Sequence, residues 1–180
     1  MKGDAMKINN VNVQAVGAFV EQVKANPALA RKQKKVEGEW GLVNGQPQFK
    51  AVLAYAKGER TVEADFAPFM GGEGLAPDPI QYCLYGLAAC YAATFAGLAA
   101  AQGVELKRLK VVAENQVNLS RSLGLSDDPV VEKVKLTLQI ESDAPPNVLE
   151  ELETLAKSNC PGVYCLTNPI PLESTLERLG

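Results

Sequence analysis

The 180-residue chain predicts an α+β fold, with helices on one face of antiparallel sheets. Three observations carry that expectation. Apolar and polar residues alternate through 34–66 and again through 104–140, the period of half-buried strands. Between the two runs lies one long helix, opened by Asp78-Pro79, closed by Gly103, and apolar nearly all round. A second, amphipathic helix pattern, "PPNVLEELETLAKSN", follows the last strands.

Taken in order, "NNVNVQAVGAFVEQVKANPAL" predicts a short helix at about 11–25, with Val13, Val16, Val20 and Val23 on one side and Asn26-Pro27 ending it. It reads as an appendage, so the expected organisation is a helical extension, 1–33, and one domain, 34–180. Val36, Trp40 and Leu42, then Phe49, Ala51, Leu53 and Tyr55, then Val62, Ala64 and Phe66 alternate across turns at Asn44-Gly45 and Lys57-Gly58, which predicts a three-stranded antiparallel meander. The glycine-rich stretch from Pro68 to Asp78 has no lysine followed by Ser/Thr, so it is not a phosphate-binding loop, and it reads as a connector.

The central helix "PIQYCLYGLAACYAATFAGLAAAQG" is about 36 Å long at about 1.5 Å per residue. Its bulk is alanine and glycine, one such segment exists, and its flanks are strand-like, so no membrane span is expected. A helix apolar on every face outside lipid needs protein on every side, more than one chain of this size readily provides. Along it Cys83, Leu87, Cys90, Thr94, Gly97 and Ala101 fall on one face, a stripe of mostly small side chains that admits another backbone closely. Beyond it, Val104 to Leu119 predicts one long strand with a register break near Lys107-Arg108. "SRSLGLSDDP" is then a turn, Val134 to Ile140 the hairpin partner, and "PIPLESTLERL" a terminal edge strand.

Apolar residues make up 47% of the chain and charged residues 22%, and the net charge of −3 leaves no electrostatic footprint for nucleic acid; the basic run "RKQKK" at 31–35 is local. "MKGDAMKINN" has no apolar core of a signal peptide, so a cytoplasmic, reducing setting is expected. There, Cys83, Cys90, Cys160 and Cys165 do not persist as structural disulfides. No cofactor and no metal are expected, a four-thiolate zinc site being the lesser alternative. The chain has no histidine, which removes every Ser-His, Cys-His and histidine–metal mechanism and leaves cysteine as the best nucleophile at neutral pH. An ordinary thiol is only about 3% thiolate at pH 7, so a neighbouring charge or dipole must help. Cys160 directly precedes Pro161, where a helix start would favour a thiolate.

"APDPIQYCLYGLAACYAATFAGLAAAQGVEL", followed some 70 residues later by "AKSNCPGVYCLTNPIPLE", resembles the two-motif signature of the OsmC/Ohr family (osmotically inducible protein C and organic hydroperoxide resistance protein). The resemblance runs from about Val36 to Leu179, and the N-terminal helix resembles an extension of one OsmC-like subgroup. It implies an intertwined homodimer with two long helices packed centrally between sheets. It also implies a peroxidatic role for Cys90, in "YGLAACYAA", and a resolving role for Cys160, in "NCPGVY", while Cys83 and Cys165 match no functional residue and are expected in the core. The partners implied are an organic hydroperoxide, or another small hydrophobic molecule, and a dithiol reductant. Two departures stand out. Ile80 occupies the place of a glutamate that in the family holds an arginine against the peroxidatic thiolate, and neither the first hairpin nor the 68–78 loop supplies that arginine. Arg31, Arg60 or Arg121 would have to replace it. The leading expectation is a thiol-dependent peroxidase. The alternatives are a family member with little peroxidase chemistry that binds a small hydrophobic ligand, and a purely structural dimer.

Overall fold

A computed structural model describes residues 7–179. They form two compact units, residues 12–86 and residues 7–11 with 87–179. Strands β1 (Lys7–Ile8) and β2 (Val11–Asn12) pair as a minimal hairpin. Helix α1 (Val13–Ala25) follows, its first turn capped by the Asn12 side chain, which accepts from the Ala15 N–H, and its last residue followed by Asn26 as expected. No residue of α1 is buried, and Val16 and Val20 of its valine stripe are exposed.

The meander is present: β3 (Gly38–Trp40), β4 (Phe49–Tyr55) and β5 (Gly58–Ala64) form an antiparallel sheet in that order, with Trp40 opposite Phe49 and Phe49 opposite Ala64. The glycine-rich stretch is not a loose connector. Asp65 is buried, and its Oδ2 accepts from the backbone N–H groups of Glu73 (3.1 Å) and Leu75 (2.9 Å), folding the loop around one carboxylate. Those donors, Leu75 foremost, hold the Asp65 carboxyl below its ordinary value against the opposing effect of burial. Gly72 is required there, because a Cβ would lie 2.0 Å from the Phe66 carbonyl oxygen.

Helix α2 (Pro79–Ala101) belongs to the first unit up to Gly86 and to the second from Leu87. Its start is a capping box. The Asp78 carboxylate accepts from the Ile80 and Gln81 N–H groups, and the Gln81 side chain accepts in return from the Asp78 N–H. In the first unit the Tyr82 hydroxyl also donates to the Glu63 carbonyl, 2.7 Å away. At the other end Gly103, at φ 71°, lets the Gly103 and Val104 N–H groups reach back to the Ala100 and Ala99 carbonyls, a Schellman stop.

In the second unit β6 (Arg108–Val117) and β7 (Val131–Glu141) form an antiparallel hairpin, followed by α3 (Pro146–Asn159) and α4 (Pro161–Thr167). The expected strand from Val104 is shorter than predicted. Residues 104–107 are irregular, tied down by Asn9, which donates to the Val104 carbonyl and accepts from the Leu106 N–H. The register shift falls at Asn115/Val117 instead of at Lys107-Arg108. The core joins Leu87, Tyr91, Phe95 and Ala99, one i, i+4 row of α2, to Leu152 and Ala156 of α3, Cys160, and Val163 of α4. The apolar face of β6–β7 packs against them. The terminal edge strand is absent: residues 168–179 have no regular structure, and Leu172, Leu176 and Leu179 are almost fully exposed. Pro169 and Pro171 carry no N–H for a ladder, and no strand among the described residues pairs with this segment.

Candidate functional site

Cys90 and Cys160 lie 70 residues apart in sequence and meet in the second unit. Cys90 is carried on α2 one residue from the core row, so its side chain lies at the edge of the packed face and remains partly accessible. Cys160 sits at the junction of α3 and α4. It ends α3, its N–H bonding to the Ala156 carbonyl, and it precedes Pro161, which opens α4. The two sulfurs are 3.6 Å apart, within thiol hydrogen-bonding distance. A disulfide needs about 2.05 Å, so a shift on the order of 1.5 Å would join them.

The first turn of α4 rests on Cys90 through Gly162, whose absent side chain makes the approach possible: a Cβ there would lie 3.3 Å from Leu87 Cδ1, 3.4 Å from Cys90 Cβ and 3.6 Å from Cys90 Sγ. This is a close backbone approach of the kind the small-residue stripe predicted, at Leu87 and Cys90. The Gly162 backbone N–H draws the Cys90 pKa down. Burial is the larger effect and pushes the Cys90 thiol up, with Cys160 and Cys165 adding in the same direction. The helix start thus serves a thiol, as expected, but that thiol is Cys90. Cys160 is 0% exposed and its side chain makes no capping bond.

Among the described residues, the groups that act on Cys90 include no cation. Arg121, one of the three candidate substitutes, lies on an exposed turn where it donates to the Asp127 carbonyl. Beside Cys90, the Tyr91 hydroxyl donates to Glu153 Oε1 (2.8 Å), and burial, then that carboxylate, raises the phenol above its ordinary range. Cys83 and Cys165 are not core residues: both are exposed in the chain. Phe95, one turn beyond Tyr91 on α2, is wholly buried in the core. Of two clefts in this unit, one of about 810 Å³ is lined by β6 and β7 residues such as Glu114, Asn115 and Lys133, and one of about 640 Å³ by β7 together with Tyr91, Glu153 and Val163; neither Cys90 nor Cys160 lines them. Sequence reasoning missed Gly162 and its N–H; the one available signal was a glycine inside the first turn predicted after Cys160-Pro161.

The family model of OsmC-like proteins matches residues 72–175, more than half of the chain and both sulfurs of the pair. The chain belongs to the OsmC-like family. Solved OsmC-like structures share the fold. A putative osmotic stress induced and detoxification response protein from Psychrobacter arcticus superposes with a TM-score of 0.58 at 12% identity, covering 75% of this chain and 89% of that one. An organic hydroperoxide resistance protein OsmC from Legionella pneumophila gives 0.53 at 18%, covering 76% and 92%. A putative organic hydroperoxide resistance protein from Vibrio cholerae, with captopril bound in one of its active sites, gives 0.54 at 17%, covering 76% and 87%. No curated protein matches the chain. In this OsmC-like protein the two motifs of the resemblance therefore meet as one sulfur pair, on α2 and at the α3–α4 junction.

Proposed function

We propose that the protein is a thiol-dependent peroxidase that reduces organic hydroperoxides in a cytoplasmic, reducing setting. The observation that carries this reading is the 3.6 Å approach of a partly accessible Cys90 sulfur to a buried Cys160 sulfur. The Cys90 thiolate attacks the distal peroxide oxygen; the O–O bond breaks, the alkoxide leaves with a proton as the alcohol, and Cys90 becomes a sulfenic acid. The Cys160 sulfur then attacks the Cys90 sulfur, the hydroxyl departs as water, and a disulfide forms that an external dithiol reduces. Several neighbours in fold carry the name of hydroperoxide resistance, which supports the substrate class.

The working form is a homodimer. The most apolar stretch of α2 is only 28% buried within the chain, and Tyr85 on it is 72% exposed. Exposed Trp40, Leu42 and Val43 extend the unpartnered apolar surface. A second chain would cover it and close a pocket over Cys90, and residues 1–33 would serve as a helical extension to the OsmC-like domain. A second reading has an observation of its own. With Ile80 in place of the glutamate and no cation among the groups that act on Cys90, the pocket would bind a small hydrophobic ligand with little peroxide turnover. Stoichiometric cumene hydroperoxide added to the reduced protein, followed by peptide mapping, decides between them. The first reading expects a Cys90–Cys160 disulfide, formed slowly because no cation assists the thiol, and the second expects free thiols.

A further inference from the structure

We propose that Tyr91 and Glu153 are positioning residues of the sulfur pair: their hydrogen bond fixes α3 against α2 and so holds Cys160 in register with Cys90. The proposal deepens the peroxidase reading and rests on it for its physiological meaning. Tyr91 follows Cys90 on α2 and is 1% exposed, so its hydroxyl needs a partner inside the protein. That partner is Glu153 Oε1 on α3, 2.8 Å away and 62 residues on in sequence. A hydroxyl that donates to a carboxylate makes a charge-assisted bond, about twice as strong as one between neutral groups. Burial and that carboxylate both raise the Tyr91 pKa, so the phenol stays a donor at neutral pH.

Helix geometry carries the constraint to the sulfurs. Glu153 precedes Cys160 by seven residues, close to two full turns, so the two leave α3 on the same side, about 10.5 Å apart along its axis. On α2 the corresponding residues, Tyr91 and Cys90, are neighbours. The rest of the α2–α3 contact is apolar, with Leu87, Phe95 and Ala99 in one cluster with Leu152 and Ala156. Apolar burial is non-directional and resists a small slide of one helix past the other weakly. Among the described residues, Tyr91–Glu153 is the one side-chain hydrogen bond that joins α2 to α3, and a slide of an ångström breaks it. A shift of that size also decides the chemistry, since the sulfurs stand 3.6 Å apart and bond at about 2.05 Å. Tyr91→Phe isolates the effect. It keeps the ring in the core, and Glu153 borders the cleft of about 640 Å³, where water replaces the lost phenol and the carboxylate is not left buried and unpaired.

The test uses the full chain in glutathione redox buffer, so that it does not depend on peroxide chemistry. One glutathione disulfide takes two electrons from Cys90 and Cys160, the protein S–S bond forms, and the two thiol protons end on two molecules of glutathione. Peptide mapping reads the fraction of Cys90–Cys160 disulfide and hence the equilibrium constant. Tyr91→Phe and Glu153→Leu should each lower that constant by about fivefold to tenfold, and the double variant should fall no further than either alone. Glu153→Gln keeps an acceptor oxygen and should stay within about twofold of the unmodified chain. Asp65→Asn, which perturbs the other unit, should match it, because a loss of stability elsewhere does not move the sulfurs. A constant for Tyr91→Phe within about twofold of the unmodified value, a Glu153→Gln shift as large as that of Glu153→Leu, or a double variant showing the product of the two single effects would overturn the positioning role. If hydroperoxide leaves all thiols free while these shifts hold, the peroxidase reading fails and the positioning role stands.

Discussion

Replacing Gly162 by alanine tests the contact that sets the reactivity of Cys90. Its backbone lies in a region open to any residue, so the substitution is not opposed by conformation. A Cβ at 3.3 Å from Leu87 Cδ1 and 3.4 Å from Cys90 Cβ is tighter than relaxed packing tolerates, so the first turn of α4 must lift by a few tenths of an ångström. Alanine for glycine in a helix gains up to about 1 kcal/mol, and modest overpacking costs about as much, so global stability should stay close to that of the unmodified protein. The Gly162 N–H, however, moves off the Cys90 sulfur that it now helps to charge. Moving that N–H away removes a group that lowers the thiol pKa and leaves the raising effect of burial less opposed. The assay is the rate of alkylation of Cys90 by iodoacetamide against pH, read for each thiol separately by peptide mapping. Burial already holds Cys90 above the ordinary thiol value, so the unmodified midpoint lies on the alkaline side. In Gly162→Ala it should lie higher. A midpoint that stays or falls, with stability raised by the full helix-propensity gain, would show that there is room at Gly162 and that its N–H does not tune the thiol.

Sedimentation at low micromolar concentration should show two chains, because the exposed apolar faces of α2 and β3 need cover; a monodisperse monomer would remove the dimer from the reading. Phe95→Ala, which empties a fully buried position, should cost about 3 to 5 kcal/mol in urea unfolding, and a loss under about 1 kcal/mol would place Phe95 outside the core. Asp65→Asn should be less stable at pH 7 and more readily cleaved by protease between 68 and 78. The folded carboxyl pKa is depressed, so its contribution is present above the unfolded value and lost as pH falls through the folded one. The difference in unfolding midpoint from the unmodified chain should therefore shrink in acid; a constant gap would rule out the charge as its source. Cumene hydroperoxide should be consumed faster than hydrogen peroxide by on the order of tenfold to a hundredfold, since each buried CH₂ contributes about 0.8 kcal/mol, and turnover unchanged in Cys90→Ser would end the peroxidase reading.

Most of the secondary structure was legible from local pattern. Asn26, Asp78-Pro79 and Gly103 end or begin helices through bonds made within a few residues, so those boundaries need no knowledge of the fold. The meander and the β6–β7 hairpin were legible for the same reason: period-two alternation and turn residues act over short distances. Histidine's absence narrowed the chemistry to thiols, and two motifs pointed to Cys90 and Cys160. What the tertiary structure decided are relations between distant segments. The loop at 68–78 is organised by a carboxylate from the end of β5, and a glycine-rich composition reads the same with or without such an anchor. The terminal strand failed because alternation does not supply a neighbour to pair with. Which thiol receives the α4 N–H could not be read from "NCPGVYC", since a helix start faces whatever the fold packs across from it, and that is Cys90 on α2. The exposure of Cys165 was equally hidden. A cysteine in a mostly apolar heptapeptide looks buried until the helix has a front and a back, and packing across 70 residues assigns those.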